Sequence, residues 1–199
     1  MKDQYHSISR KGESLYKEKG SKFFGKAYPC KNKAELKEIL DLLKKEYHSA
    51  RHFCFAYRFN PEKPEERAND DGEPSNSAGA PILGQIYSRE LYNVVVIVIR
   101  YFGGTKLGVP GLIRSYKTSA MEALLDAEIA EFQITSRFKV TSDYKNVNEL
   151  MRLIKKHDIK IISQESAEKM SVLAEVRKSE FKYIEDIFKQ KFQFIFETQ

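Results

Sequence analysis

Tryptophan is absent from this sequence of 199 residues, and cysteine occurs only twice. Cys30 and Cys54 stand far apart and form no CxxC pair, so a zinc site lacks its ligands, and both residues are typical of reduced thiols in a cytosolic protein. The longest apolar run, Val94 to Ile99, is far too short to span a bilayer. Residues 1–6 contain no apolar segment. We therefore expect no signal peptide, no membrane partner and a cytoplasmic location.

Acidic and basic residues are unevenly distributed along the chain. The net charge of +6 is modest, and many proteins without a nucleic-acid partner are as basic. Residues 91–121 contain no Asp or Glu, whereas residues 62–73 contain six acidic and two basic residues. The basic residues of the first range are Arg100, Lys106, Arg114 and Lys117. This separation predicts a local electrostatic role for the centre of the chain.

The first two thirds of the chain predict a mixture of strands and helices. Aromatic residues alternate with other residues over 51–59, which indicates a strand with one aromatic face. A helical apolar pattern over 33–47 follows Asn32, a favourable N-cap. Residues 61–79 are rich in Pro, Gly, Asn, Asp and Ser, which predicts a long loop. The other predicted elements are strands over 21–28 and 93–99 and helices over 80–87 and 110–127.

The last third predicts a second domain with the element order βαββαβ, which is the ferredoxin-like split motif. The predicted strands cover 129–142, 159–164, 170–176 and 192–196, and the predicted helices cover 147–157 and 181–190. A unit of this size can fold as a small separate domain. The sequence thus predicts an α+β protein of two domains, residues 1–130 and residues 131–199. Phe192, Phe194 and Phe196 are interpreted as the packed face of the last strand, with an RNA-stacking platform as the alternative.

The central strand ends in a glycine-rich turn, residues 100–108, and a helix follows. This layout places backbone N–H groups, a helix N-terminus and cations around one point, as in sites that hold phosphate or another anion. The turn is neither a GxxxxGK[ST] P-loop nor a GxGxxG motif. A tight structural turn with exposed basic residues is the alternative. The candidate phosphate-binding residues are Arg100, Tyr101, Gly103, Gly104, Lys106, Arg114 and Lys117.

Three carboxylates lie within four residues of the predicted loop, at Asp70, Asp71 and Glu73. They could bind a hard cation such as Mg²⁺, pair with Arg100 and Arg114, or supply a general base. A solvated acidic turn is the simpler alternative. We assign no catalytic residue and no cofactor, and we keep Mg²⁺ at the three carboxylates as an option. The possible acidic partner site comprises Asp70, Asp71, Glu73, Ser75 and His52.

His52 and the two aromatic residues of the turn have alternative interpretations. His52 lies on the strand face opposite the aromatic residues and is either a general base or a partly buried histidine bonded to backbone. Phe102 follows Tyr101 in the turn. Both rings could stack on nucleic-acid bases, although aromatic residues at the end of a strand are more often part of a core.

Taken together, residues 70–75, 78–83 and 100–108 strongly resemble the signature of the YigZ/Impact family. The resemblance covers residues 21–128 as an Impact-type domain. It implies a ribosomal protein S5 domain 2-like fold, an α/β sandwich whose sheet is packed by helices on one side. The βαββαβ tail resembles the small C-terminal domain of bacterial members, which is similar in fold to the C-terminal domains of elongation factor G.

The chain departs from the family pattern at three places. The family usually has Gly-Thr where this sequence has Asn76-Ser77, and Gly-Gly where it has Pro110-Gly111. Lys117 stands where a small residue is usual. The first departure concerns the conformation of the loop, and the last adds a cation to the basic segment.

The resemblance implies a link to translation, and three functions follow as hypotheses. The first is a cytosolic factor that contacts RNA or the ribosome through the glycine-rich turn. The second is an enzyme of phosphoryl or hydrolytic chemistry, with a small molecule bound between the acidic loop and the turn. The third is a protein interaction module, with a possible partner in translation control, in which loop and turn are salt-bridged structure. The sequence assigns no oligomeric state.

Overall fold

A computed structural model of the chain describes residues 3–199, which divide into two compact units. One unit comprises residues 5–132. The other comprises residues 133–199 together with the described N-terminal residues up to Gln4. Both units mix helices and strands, in agreement with the predicted α+β class. Within residues 3–199, no helix is both long enough and apolar enough to cross a membrane.

The first unit contains a five-stranded sheet in the order β2-β3-β6-β4-β5, with antiparallel neighbours throughout. Strands β1 and β7 form a separate two-stranded sheet. The strands are β1 (Gln4–Ile8), β2 (Gly12–Glu18), β3 (Ser21–Pro29), β4 (His52–Phe59), β5 (Glu65–Asn69), β6 (Val94–Tyr101) and β7 (Ile129–Gln133). The helices are α1 (Lys33–Glu46), α2 (Gly79–Tyr87) and α3 (Gly108–Asp126). As predicted, the Asn32 side chain caps α1 by accepting from the backbone N–H groups of Ala34 and Glu35.

Strand β5 lies inside the range 61–79 that the sequence predicted to be a loop. Its five residues, EERAN, are mostly exposed and carry three charges. Such an edge strand needs no apolar alternation, because one side of it faces water and its charges protect the open edge. Hydrophobic periodicity therefore gave no signal for it.

Helices cover both faces of the five-stranded sheet, which corrects the expectation of helices on one side. Alternate residues of β6 point to opposite faces: Val96 and Val98 pack with α2 and α3, whereas Val95 and Ile97 pack with residues of α1. All of these side chains are fully buried. A strand that is apolar on both faces needs cover on both, and α1 supplies the second layer.

The second unit has the predicted order βαββαβ. Its sheet is antiparallel in the order β11-β8-β10-β9. The range 129–142, predicted as one strand, is divided at Ile134 into β7 and β8, because the two halves pair with different strands. The elements are β8 (Thr135–Ser142), α4 (Val147–Lys156), β9 (Lys160–Ser166), β10 (Met170–Arg177), α5 (Lys178–Lys189) and β11 (Phe194–Thr198), with a short 3₁₀ turn over Tyr144–Asn146.

The three phenylalanines near the C-terminus have different environments. Phe194 is buried, and Phe196 stacks on Phe138 with ring centroids 4.9 Å apart. Both belong to the core of the second unit, as predicted. Phe192 precedes β11 and is 99% exposed, so the prediction that it packs in this core is wrong.

The glycine-rich turn lies directly against the β2–β3 hairpin. A Cβ added to Gly103 would collide with backbone atoms of Gly20 and Ser21. The Gly103 N–H also donates to Ser21 Oγ at 3.1 Å. Close backbone contact, rather than approach to a ligand, thus accounts for glycine at position 103.

We expect Gly103→Ala to lower the free energy of unfolding by about 1–3 kcal/mol, because the hairpin or the turn must move to accept the methyl group. Gly84→Ala is the matched control, since a Cβ there meets no atom within 4 Å and Ala is the better residue in a helix. Denaturant titrations of both variants test this. An unchanged midpoint for Gly103→Ala would contradict the close contact.

Candidate nucleic-acid interface

A buried ion pair joins the acidic loop to the central strand. The Nη1 group of Arg100, near the end of β6, donates to Oε1 of Glu73 at 2.6 Å. Their side chains are only 7% and 4% exposed. The hydroxyl of Tyr116, on α3, donates to the same Oε1 at 2.7 Å. Glu73 therefore links the loop, β6 and α3. The burial of Arg100 argues against its predicted contact with an external phosphate and supports the alternative in which an acid pairs with an arginine.

Asp70 organises the loop and caps α2. Its Oδ1 accepts from the backbone N–H groups of Ala78 and Gly79 at 2.9 and 2.8 Å, and its Oδ2 accepts from that of Asn76 at 2.8 Å. Ala78 occupies the N-cap position and has no acceptor in its own side chain, so Asp70 satisfies the first N–H groups of the helix instead. Asn76 has a φ of +60°, a conformation that asparagine tolerates better than most residues. This accounts for asparagine at a position where the resemblance leads one to expect glycine.

Asp71 and His52 tie the loop to β4. Oδ2 of Asp71 accepts from the backbone N–H of Phe53 at 2.6 Å. Nδ1 of His52 lies 2.9 Å from the backbone oxygen of Asp71. Because a carbonyl oxygen only accepts, Nδ1 is the protonated nitrogen. His52 is therefore bonded to backbone, which was one of its two predicted roles. Ser75, also a candidate of the acidic site, is exposed at the surface of the loop.

The geometry of the loop gives the Mg²⁺ option no support. Asp70, Asp71 and Glu73 each accept at least one hydrogen bond from the protein. Across residues 3–199, no three His, Cys, Asp or Glu side chains are grouped so that they could hold a metal ion. These carboxylates are better described as acceptors for the chain's own donors.

Burial keeps the neighbouring thiol and phenol protonated. Desolvation raises the pKa of Cys54 and of Tyr116 well above their ordinary values. The Cys54 thiol donates to the Asp70 carbonyl oxygen at 3.0 Å. Both groups thus serve as hydrogen-bond donors at neutral pH, and the thiol is not in the reactive thiolate form. Burial likewise raises the pKa of Cys30 to about 11.

Three of the predicted cations remain on the surface, and we call them the basic surface. Lys106 precedes α3, and Arg114 and Lys117 lie on it; all three are exposed. None of the ion pairs formed within residues 3–199 involves them. Helix α3 has no side-chain N-cap and no acid in its first turn. Its first N–H groups therefore add positive potential near Lys106, which directly precedes the helix.

The structure adds cations that the sequence reasoning missed, which we call the hairpin lysines: Lys17, Lys19 and Lys22. Lys17 and Lys22 are directly opposite each other in the β2–β3 register, and Lys22 also pairs with Tyr101 of β6. Like charges at opposite positions destabilise a sheet, so this placement is not favoured by stability alone. The signal in the sequence was three lysines within six residues. Only the contact of Gly20 with Gly103 reveals that they adjoin the glycine-rich turn.

The two aromatic residues of the turn differ in environment. Tyr101 is partly buried and packs edge-on against Phe24, with ring centroids 5.8 Å apart. Phe102 is 58% exposed. Gly104 has a φ of +86°, and a Cβ there would meet open space, so it shapes the turn without contacting a neighbour.

A model of the Impact N-terminal domain matches residues 19–124, more than half of the chain. The chain belongs to the Impact family. The matched range contains the acidic loop, the glycine-rich turn and the basic surface. It confirms the family resemblance seen in the sequence.

Curated relatives agree with this assignment. The Impact family member YvyE of Bacillus subtilis is 34% identical over 144 residues, which cover 72% of this chain and 66% of the relative. The Impact family member YigZ of Escherichia coli is 28% identical over 131 residues, 65% of this chain and 64% of the relative. The chain thus spans slightly less than two thirds of the length of these relatives. A crystal structure of a hypothetical protein, 19% identical, covers all of this chain and 98% of its own with a TM-score of 0.76, and it shares the fold.

We expect Glu73→Ala and Arg100→Ala each to lower the free energy of unfolding by about 3–5 kcal/mol, because each leaves a buried charge without its partner. The double variant should lose much less than the sum, since it removes both charges. The exposed pair of Lys169 and Asp143, 3.1 Å apart, is the control and should contribute about 0.2–1 kcal/mol. Denaturant unfolding of the two cycles tests this, and additive losses at Glu73 and Arg100 would show that the pair is not coupled.

Proposed function

We propose that this Impact family protein is a cytoplasmic factor that contacts RNA or the ribosome and takes part in the regulation of translation. The observation that carries the proposal is the basic surface: Lys106, Arg114 and Lys117 are exposed and lie in a stretch of the chain without a single acid. Phosphates of RNA are the ligands that such a surface attracts.

Electrostatics at the start of α3 favour an anion there. Cations near a helix N-terminus are mildly unfavourable, because the helix dipole places positive potential at that end. No side-chain cap and no acid in the first turn neutralises the start of α3, and Lys106 forms none of the ion pairs described within residues 3–199. A bound phosphate would relieve the repulsion between Lys106 and the helix end. Residues that cost stability without a structural return are typical of binding sites.

Lys19 extends the surface on which a nucleic acid could be held, whereas Lys17 and Lys22 lie on the sheet face packed by α1, opposite to α3. Lys19 adjoins Gly20, whose backbone contacts the glycine-rich turn. Lys17, Lys19 and Lys22 are exposed, and like the basic surface they take part in none of the ion pairs of the described chain. Several phosphates in a row, rather than one small anion, match Lys19 of the hairpin together with the cations of the helix.

A protein partner is the second candidate, and one observation favours it. Val109 and Ile113 of α3 are 46% and 38% exposed. They lie four residues apart on one helix face, and Lys117 continues the same row. An acidic protein with an apolar contact would fit this row. Enzymatic chemistry has less support, because the carboxylates of the acidic loop accept hydrogen bonds from the chain itself.

The test is binding to a labelled single-stranded RNA and to ribosomes across a series of salt concentrations. The variant Lys106→Ala, Arg114→Ala, Lys117→Ala should bind RNA at least about tenfold more weakly. The slope of log affinity against log salt should fall by about 2, since each lost phosphate contact removes about 0.7. Circular dichroism verifies that the variant is folded.

The matched control removes the same charge from another helix. Lys37, Lys44 and Lys45 of α1 are exposed, and none of the ion pairs described within residues 3–199 involves them. Their replacement by alanine should leave the salt slope nearly unchanged. If both triple variants weaken RNA binding equally, binding depends on net charge alone, which would contradict a defined surface. Binding of the ribosome without binding of free RNA would favour the protein partner.

A further inference from the structure

The exposed ring of Phe102 stands at the edge of the basic surface. It lies between Arg100 and Lys106 in the glycine-rich turn and is 58% exposed, whereas its neighbour Tyr101 is committed to packing on Phe24. An apolar ring left in water forgoes the favourable free energy of burial. The structure therefore leaves an aromatic ring exposed in the turn, four residues before Lys106.

The buried ion pair of Glu73 and Arg100 positions the Phe102 ring. The guanidinium carbon of Arg100 lies 5.6 Å from the centroid of the Phe102 ring and 5.5 Å from that of Phe23. Glu73 fixes the guanidinium group in turn. A cation held near an aromatic ring attracts it, and here it restrains Phe102 while much of the ring stays in solvent. A restrained ring loses little conformational freedom when a ligand stacks on it.

We propose that Phe102 is a base-stacking platform, so that the surface takes single-stranded RNA in preference to duplex RNA. The inference rests on the proposed function, in which Lys106, Arg114 and Lys117 hold phosphates, and adds recognition of an unpaired base beside them. In a duplex the bases stack on each other, and a protein ring finds a free base face only at the two ends. The ring offers no hydrogen bond, so stacking tolerates any base sequence.

The experiment compares one labelled RNA strand with the blunt duplex formed by the same strand and its complement. Phe102→Ala should weaken binding of the single strand by between about 5-fold and 150-fold, the range measured for loss of one base–aromatic stack. It should leave binding of the duplex and the salt slope unchanged, because no phosphate contact is lost. Phe102→Tyr should retain the affinity of the original chain.

The second unit supplies a matched control. Phe192 is 99% exposed and has no cation at its ring among the described contacts. Phe192→Ala should leave binding of the single strand unchanged, which separates a placed ring from exposed apolar surface in general. Both phenylalanines are exposed, so both variants should fold, and circular dichroism checks this.

The outcomes separate this inference from the proposed function. Suppose that Phe102→Ala binds the single strand as tightly as the unmodified protein does, and that the triple variant of the basic surface loses binding. This result would overturn the stacking platform and leave the proposed function intact. Stronger binding of the duplex than of the single strand would also overturn the platform. Absence of any RNA binding by the unmodified protein would overturn both.

Discussion

The hydrogen-bonded ion pair between Glu73 and Arg100 is the interaction on which the centre of this protein depends. It joins the loop after β5 to the end of β6, and the hydroxyl of Tyr116 brings α3 to the same carboxylate oxygen. A buried ion pair contributes little net stability, because both charges must leave water. It does fix geometry, since any shift of the loop would leave a charge without its partner. The Arg100 Nε has no hydrogen-bond partner within the described structure, which adds to the cost of holding the guanidinium group there.

The charged residues of the acidic loop and of the segment after Arg100 differ in their partners. The acids bond to the chain itself: Asp70 caps α2, Asp71 accepts from the backbone of β4, and Glu73 accepts from Arg100. The cations that follow Arg100 point outward and meet no acid. The acidic loop is therefore joined to β4, α2 and the end of β6, and its carboxylates are occupied by donors of the chain itself. The guanidinium group of Arg100 bonds to Glu73 of the acidic loop and also lies 5.6 Å from the centroid of the exposed Phe102 ring.

Strong periodicity allowed much of the architecture to be predicted. The Asn32 cap placed the start of α1 correctly, and the spacing of apolar residues in the last third gave the order βαββαβ. The edge strand β5 escaped prediction because it buries almost nothing. The division of residues 129–142 at Ile134 escaped it because pairing partners, and not the local sequence, determine where β7 ends and β8 begins. The close contact of Gly20 and Gly103 likewise joins residues far apart in the sequence, so the local sequence gives no signal for it.

The candidate site was predictable in part. The sequence placed the cations near the turn, but it gave Arg100 the same role as Lys106. A signal against this was available, because Arg100 has the same parity as Val96 and Val98 along β6 and so points to the face packed by α2 and α3. The internal partners of the three carboxylates could not be foreseen, since they are backbone amides and an arginine brought together by the fold. The hairpin lysines were equally hidden, because their place beside the turn depends on strand register.

The carboxylates of the acidic loop hold the chain itself, and we propose that the glycine-rich turn and the start of α3 form the interface. This proposal is tested most directly by amide correlation spectra of isotope-labelled protein titrated with a single-stranded RNA. We expect the resonances of residues 102–117 and of Lys19 to shift. The amides of Phe53, Asn76, Ala78 and Gly79, which bond to Asp70 and Asp71, should keep their positions. Large shifts at those four amides, with none at residues 102–117, would place the ligand in the acidic loop and contradict the account.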